Sequence, residues 1–113
     1  MTAPARSPCG LDPLIHEAAR LLIVSVLAEC QVADFNFMLA TTNLTRGNLS
    51  QHMARLVEAG YVQETKEFLN RKPHTEYRLT AAGRSAFKRY RRAWRQVTRG
   101  QGTQDANAKA PCS

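Results

Sequence analysis

The stretch that decides the fold is Leu44-Thr-Arg-Gly-Asn-Leu-Ser-Gln-His-Met-Ala-Arg-Leu-Val-Glu-Ala-Gly-Tyr-Val62. Its apolar residues Leu49, Met53 and Leu56 are spaced four and three apart, which places them on one side of an α-helix. Thr45 is a favourable N-cap, and Gly60 supplies the left-handed residue that closes many helices. We therefore predict a helix from just after Thr45 to Gly60, with an apolar side on the core and a polar side facing outward.

Two helices are predicted before this segment. Asp12 can cap a first helix with Pro13 at its first position, and that helix continues to Leu27. Because residues 21–28 are apolar almost all round, the helix must be covered on more than one side, by its own domain or by a second subunit. A short second helix fits residues 35–40 with Asp34 as its cap, and residues 41–43 form the turn before the third helix.

A β-hairpin and a last helix are predicted after it. Residues 61–69 and 75–79 have strand character, so residues 70–74 form the hairpin tip. Thr80 then caps a helix with an apolar stripe and an opposed basic side. The stripe contains Phe87, Tyr90, Trp94 and Val97, and the basic side contains Arg84, Lys88, Arg91, Arg92 and Arg95.

This order of elements predicts an α+β, mostly helical fold, a winged helix-turn-helix. A two-stranded β-hairpin is its wing, and the C-terminal helix serves dimerisation. The 113 residues suit one domain, which we place at residues 11–98. Residues 1–10 and 99–113 lack core-forming periodicity, and we predict that both are disordered tails.

The charge of the chain indicates an anionic partner. There are 16 Lys and Arg residues against 9 Asp and Glu residues, a net charge of +7, and the cations concentrate in the last third. Charge alone does not choose among nucleic acid, an acidic protein and a membrane surface. Residues 1–10 contain no apolar run of the kind found in signal peptides, and the longest apolar run of the sequence is too short to span a bilayer, so we expect a cytoplasmic protein. Its three cysteines lack close spacing and are expected to be reduced thiols.

Several segments together resemble a known family. The stretch from Leu44 to Val62 resembles the recognition helix and strand entry of MarR-like and ArsR-like winged helix regulators. Three further segments are similar to other parts of a small single-domain subgroup: Leu11-Asp-Pro-Leu-Ile-His16, Arg71-Lys-Pro-His-Thr-Glu-Tyr-Arg-Leu-Thr80 and Gly83-Arg84. The resemblance implies double-stranded DNA binding, dimerisation and control of transcription.

The polar side of the third helix contains the predicted DNA contacts. Arg46, Asn48 and Gln51 have the donors and acceptors needed to read base edges, and Gly47 allows the backbone to approach DNA closely. Phosphate contacts are predicted for Thr45, Ser50 and Arg55, and in the wing for Arg71 and Lys72. Taken alone, the helix could equally be structural with a solvated polar face, but the basic hairpin favours the DNA interpretation.

A homodimer interface is predicted between the first and last helices, because the apolar residues exceed what so small a core needs. The predicted interface residues are Leu14, Leu21, Val24, Phe87, Tyr90, Trp94 and Val97. The basic side of the last helix is either solvated or an extension of the DNA-facing field. With a two-fold dimer, the expected operator is an inverted repeat.

Neither a metal site nor a cofactor nor catalysis is predicted. His16 and His74 are far from each other and from any carboxylate cluster in the sequence, and no nucleophile and base motif is present, so the protein is not expected to be an enzyme. A small-molecule effector and a redox signal at Cys30 stay open. Two rival functions also remain: an interaction module for an acidic protein partner, and RNA or single-strand binding, for which an aromatic stacking platform is missing.

Overall fold

The computed structural model describes residues 10–101, which form four helices and one antiparallel sheet with strand order β1-β3-β2. The elements are α1 (Ala18–Glu29), β1 (Ala33–Asp34), α2 (Phe35–Thr42), α3 (Arg46–Glu58), β2 (Val62–Leu69), β3 (Lys72–Leu79) and α4 (Ala81–Gln101). The predicted α+β winged helix fold is confirmed. Strand β1 was not predicted, because a strand of two residues has no alternation to detect.

The core confirms the predicted orientation of α3. Leu49, Met53 and Leu56 are all buried, and they pack with residues of α1 that include Ile23 and Val24. A second, smaller cluster joins Leu11, Ile15, Ala86 and Tyr90 and attaches α4 to the N-terminal segment. Leu22 of α1 is 41% exposed, whereas its neighbours Ile23 and Val24 are completely buried.

Helix α1 begins later than predicted. Its N-cap is Glu17, whose carboxylate accepts from the Arg20 amide at 2.9 Å. Asp12 instead closes a preceding turn by accepting from the Leu14 amide at 3.0 Å, and its other oxygen accepts from the Tyr61 hydroxyl at 2.6 Å. Beside this turn, Leu11 and Ile15 are buried against Ala86 and Tyr90 of α4.

The wing is longer than predicted, because its turn contains only residues 70 and 71. Asn70 and Arg71 have φ values of 52° and 68°, as a type I′ turn requires at both central positions. The predicted loop at residues 70–74 is therefore wrong for residues 72–74, which belong to β3. Pro73 pairs with Phe68, next to the hydrogen-bonded pair Leu69 and Lys72 that flanks the turn. At this non-hydrogen-bonded position the backbone nitrogen faces away from β2, so the lack of an N–H in proline removes no hydrogen bond between the strands.

The described residues differ from the predicted ends in one respect. Helix α4 continues to Gln101, so residues 99–101, assigned to the C-terminal tail, are helical. The tail residues 1–9 and 102–113 lie outside the described residues. Within residues 10–101, no helix has both the length and the apolarity needed to cross a membrane.

Candidate nucleic-acid interface

Helix α3 presents a complete polar side to solvent. Thr45 caps it, as predicted, with its hydroxyl accepting from the Asn48 amide at 3.1 Å. Because the apolar side is buried, Gln51 and Arg55 point away from the core and are exposed. All nine residues predicted to contact DNA have exposed side chains or, at glycine, an exposed backbone: Thr45, Arg46, Gly47, Asn48, Ser50, Gln51, Arg55, Arg71 and Lys72.

The turn between α2 and α3 is short and well capped. Asp34 caps α2 by accepting from the Phe37 amide at 2.7 Å. At the other end Asn43 adopts a left-handed conformation with φ 61°, and its amide donates to the Leu39 carbonyl. Asn43 at the end of α2 and Thr45 at the start of α3 thus define the turn of the helix-turn-helix.

Arg46 is oriented by an aromatic neighbour. Its guanidinium carbon lies 5.5 Å from the centroid of the Phe35 ring, a cation–π distance. The side chain stays exposed, so its donors remain available while the ring restricts its rotamers. Such restriction lowers the entropy that an arginine loses when it binds a base or a phosphate.

The start of α3 and the wing border one polar groove of about 290 Å³. Its lining comes from β1, α2, α3 and the part of β3 that extends beyond β1: Asp34, Phe35, Asn36, Arg46, Pro73, His74 and Thr75. Arg71 and Lys72 lie at the far end of the wing. The groove therefore connects the start of α3 with the part of β3 that lies next to the wing tip.

His52 of α3 contacts two residues near the start of α1. Its Nδ1 lies 3.2 Å from an Arg20 guanidinium nitrogen and 3.9 Å from a Glu17 carboxylate oxygen. Arg20 in turn donates to the Leu14 carbonyl at 2.7 Å. The hydrogen bond that the Arg20 amide donates to the Glu17 carboxylate is the main reason that the pKa of this carboxyl is lowered. This network links α3 to α1, and no local pattern predicts it because its members are about thirty residues apart in the chain.

The predicted dimer residues divide into two groups. Val24 is completely buried in the core of its own chain, and Tyr90 is 5% exposed with its hydroxyl 2.8 Å from His16 Nδ1. Val24 is therefore not accessible to a second subunit. In contrast, Trp94 is 47% exposed beside a shallow groove of about 300 Å³ between α1 and α4. Leu21 and Phe87 line that groove, whereas Leu14 and Val97 are half-buried.

His74 does not have the surroundings that its sequence position indicated. Its Nε2 lies 3.0 Å from Glu76 Oε2, and Glu67 is directly opposite it in the hairpin register. The expectation that His74 is far from any carboxylate cluster was wrong. The hairpin turn decides this neighbourhood, because a different tip would pair other residues.

Comparison with known proteins identifies the family of the chain. A family model described as a winged helix DNA-binding domain matches residues 19–98. The chain belongs to this family. It is 32% identical over 77 residues to an uncharacterised protein of Methanocaldococcus jannaschii, an alignment that spans 68% of the chain and 84% of that protein.

Solved structures confirm the fold. A transcriptional regulator homologue from Pyrococcus horikoshii OT3 superimposes with a TM-score of 0.75 at 28% identity, over 80% of this chain and 89% of that one. MarR from E. coli, in a structure complexed with operator DNA, superimposes with a TM-score of 0.62 at 17% identity, over 87% of this chain and 68% of MarR. The winged helix protein thus has the MarR-type regulator fold that the sequence resemblance implied.

Proposed function

We propose that this winged helix protein is a sequence-specific regulator of transcription that binds double-stranded DNA as a homodimer on an inverted-repeat operator. The observation that carries the proposal is the exposed polar side of α3, beside a groove that extends to the part of β3 next to the basic wing tip, in a member of a family of winged helix DNA-binding domains. The net charge of +7 supports an electrostatic attraction to phosphates.

The proposed contacts divide by chemistry. Asn48 and Gln51 offer side-chain amides that pair with adenine in the major groove, and Arg46 offers a fork that matches guanine. Arg55, farther along α3, is proposed to contact phosphate. Arg71 at the wing tip suits the phosphates or the minor groove on the outer flank of each half-site.

The proposed dimer rests on apolar surface that one chain leaves uncovered. Leu22 on α1 and Trp94 on α4 are 41% and 47% exposed, and both helices belong to the surface that the sequence predicted for dimerisation. Leu22 takes the place of Val24 in the proposed interface. A two-fold axis through this surface would present two α3 helices to successive major grooves, with half-site centres about 34 Å apart.

Selection of bound duplexes from a random pool, followed by footprinting, tests the proposal. We expect two inverted half-sites and two subunits per duplex. Protection of one short asymmetric stretch by one subunit would contradict the dimer, and the absence of any preferred sequence would contradict specific recognition.

Substitution of Gln51 and of Arg71 should separate base contacts from phosphate contacts. We expect Gln51→Ala to cost about 1–3 kcal/mol on the selected site and to relax the base preference. Arg71→Ala should weaken selected and random duplexes alike and reduce the slope of log affinity against log salt by about one unit. Fluorescence anisotropy on both duplexes at several salt concentrations measures these quantities. Equal losses on both duplexes for Gln51→Ala would remove it from the base contacts.

The basic side of α4 favours a second candidate, an interaction with an acidic protein. Arg84, Lys88 and Arg92 are exposed there, and Arg91 lies 5.7 Å from the Phe87 ring centroid. A charge-reversed variant, Arg92→Glu, should leave DNA binding almost intact if this side serves a protein. If Arg92→Glu instead lowers the affinity for random DNA, the basic side of α4 is part of the positively charged surface that attracts DNA.

A further inference from the structure

Three metal-binding side chains meet on one face of the wing. His74 and Glu76 are two residues apart on β3, so both side chains leave the same face of the sheet. Glu67 pairs with His74 in the neighbouring strand and therefore lies on that face as well. One ligand atom of each of the three residues lies within 4.8 Å of the other two.

The composition of this cluster differs from that of an ordinary surface ion pair. The contact between His74 Nε2 and Glu76 Oε2 at 3.0 Å accounts for one carboxylate, but Glu67 adds a second carboxylate to the same imidazole. Two adjacent carboxylates repel each other, and a single cation between them relieves that repulsion. The side chains of His74 and Glu76 are only 23% and 29% exposed, so part of their hydration is already lost.

The distances allow a shared ion after small side-chain rotations. Ligand atoms about 2.1 Å from a tetrahedral metal lie about 3.4 Å from each other, which is between the 3.0 Å contact and the 4.8 Å limit of this cluster. One imidazole with two carboxylates suits Zn²⁺ and similar first-row ions, whereas Mg²⁺ and Ca²⁺ prefer ligand sets made of oxygen alone.

We propose that Glu67, His74 and Glu76 form a binding site on the wing for a divalent transition-metal ion such as Zn²⁺, with water completing the coordination. The opposite face of the same hairpin contains the pair Tyr77 and Glu64, which is not part of this site. There, burial, and to a smaller extent the charge and hydrogen bond of Glu64, raise the pKa of Tyr77 to about 12. The Tyr77 phenol therefore stays protonated and donates to Glu64. Glu64 lies on the same strand as Glu67 but on the other face, so it is a carboxylate outside the proposed site and can serve as a control.

Occupation of the site changes the charge of the DNA-facing wing, a consequence that rests on the proposed function. Without metal, Glu67 and Glu76 place two negative charges on the same hairpin as the cations of the tip, Arg71 and Lys72. A divalent ion cancels both charges and thereby increases the attraction of the wing to phosphates. His74 also lines the groove that contains Arg46, so the ion would lie beside the surface proposed to face DNA.

Isothermal titration of the tag-free full-length protein with ZnCl₂, in a buffer without phosphate or chelators, tests the site directly. We expect one site per chain that depends on the three residues, and His74→Ala and Glu67→Gln should each weaken it by about tenfold or more. Glu64→Gln, which removes a carboxylate from the same strand but the other face, should leave it unchanged. Binding that is equally tight in His74→Ala would assign the zinc elsewhere, including to the cysteines, and would overturn the proposal.

Two controls keep the test decisive. Circular dichroism establishes whether each variant is folded. If His74→Ala is not folded, His74→Gln, which retains a polar side chain of similar length, replaces it in the titration. NMR of the histidine ring protons of the wild-type chain should show zinc-dependent shifts at His74. Shifts confined to His16 and His52 would contradict the site.

The effect on DNA is measured separately, so that failure of the site and failure of the proposed function are distinguishable. Zn²⁺ should tighten binding of the wild-type chain to a selected duplex and leave His74→Ala unaffected at the same salt concentration. Zinc binding at His74 without any DNA binding would contradict the proposed function but support the site. Equal zinc effects on both proteins would contradict the link between the site and DNA.

Discussion

Replacing Gly83 by alanine is expected to destabilise the domain by about 3 kcal/mol. Gly83 lies in the first turn of α4, and an added Cβ would press against the carbonyl oxygen of Tyr61, well inside van der Waals distance, and lie 3.1 Å from Leu79 Cδ2. The backbone cannot easily yield, because that carbonyl accepts from the Thr80 amide at 3.0 Å and the Thr80 hydroxyl donates to the Gly60 carbonyl at 2.6 Å. Urea denaturation of both proteins measures the difference.

Gly47→Ala is the matched control for this substitution. Gly47 also lies in the first turn of a helix, but an added Cβ would meet no atom within 4 Å. Alanine is the better helix former, so stability should rise by up to about 1 kcal/mol. The same variant should weaken binding to DNA if the backbone approaches the duplex there. A similar loss of stability in both variants would refute close packing as the reason for Gly83.

Trp94→Glu should convert the proposed dimer into monomers and lower the affinity for a two-site operator about 100-fold or more. A carboxylate at this 47% exposed position would have to be desolvated in a dimer interface, and the monomer does not bury it. The two half-sites would then be bound independently, so the loss should be much smaller on a single half-site. Light scattering and anisotropy on one-site and two-site duplexes measure both effects.

Gln96→Glu provides the charge-matched control. Gln96 is exposed two residues farther along α4, about 200° around the helix from Trp94, so it introduces the same charge change on the opposite side. This variant should stay dimeric. A wild-type chain that is monomeric at micromolar concentration, or an equal effect of both variants, would contradict the proposed interface.

The sequence by itself determined the features that depend on residues close together in the chain. The spacing of Leu49, Met53 and Leu56 oriented α3, because a helix repeats every 3.6 residues. The caps Thr45 and Asp34 satisfy amides three residues away, so their helix starts were predictable from neighbours alone. The nine proposed DNA contacts followed from the same periodicity and from the basic hairpin, and the structure leaves all nine exposed.

Only the tertiary structure decided the features that depend on partners far away in the chain. Asp12 closes a turn rather than capping a helix because Leu11 and Ile15 must reach a core shared with α4, and Val24 rather than Leu22 is buried because of how α1 packs. The metal-binding cluster has the same origin. A turn of only two residues sets the register that places Glu67 opposite His74. A change of one residue in that register would move Glu67 to the other face, so composition and spacing could not reveal the site.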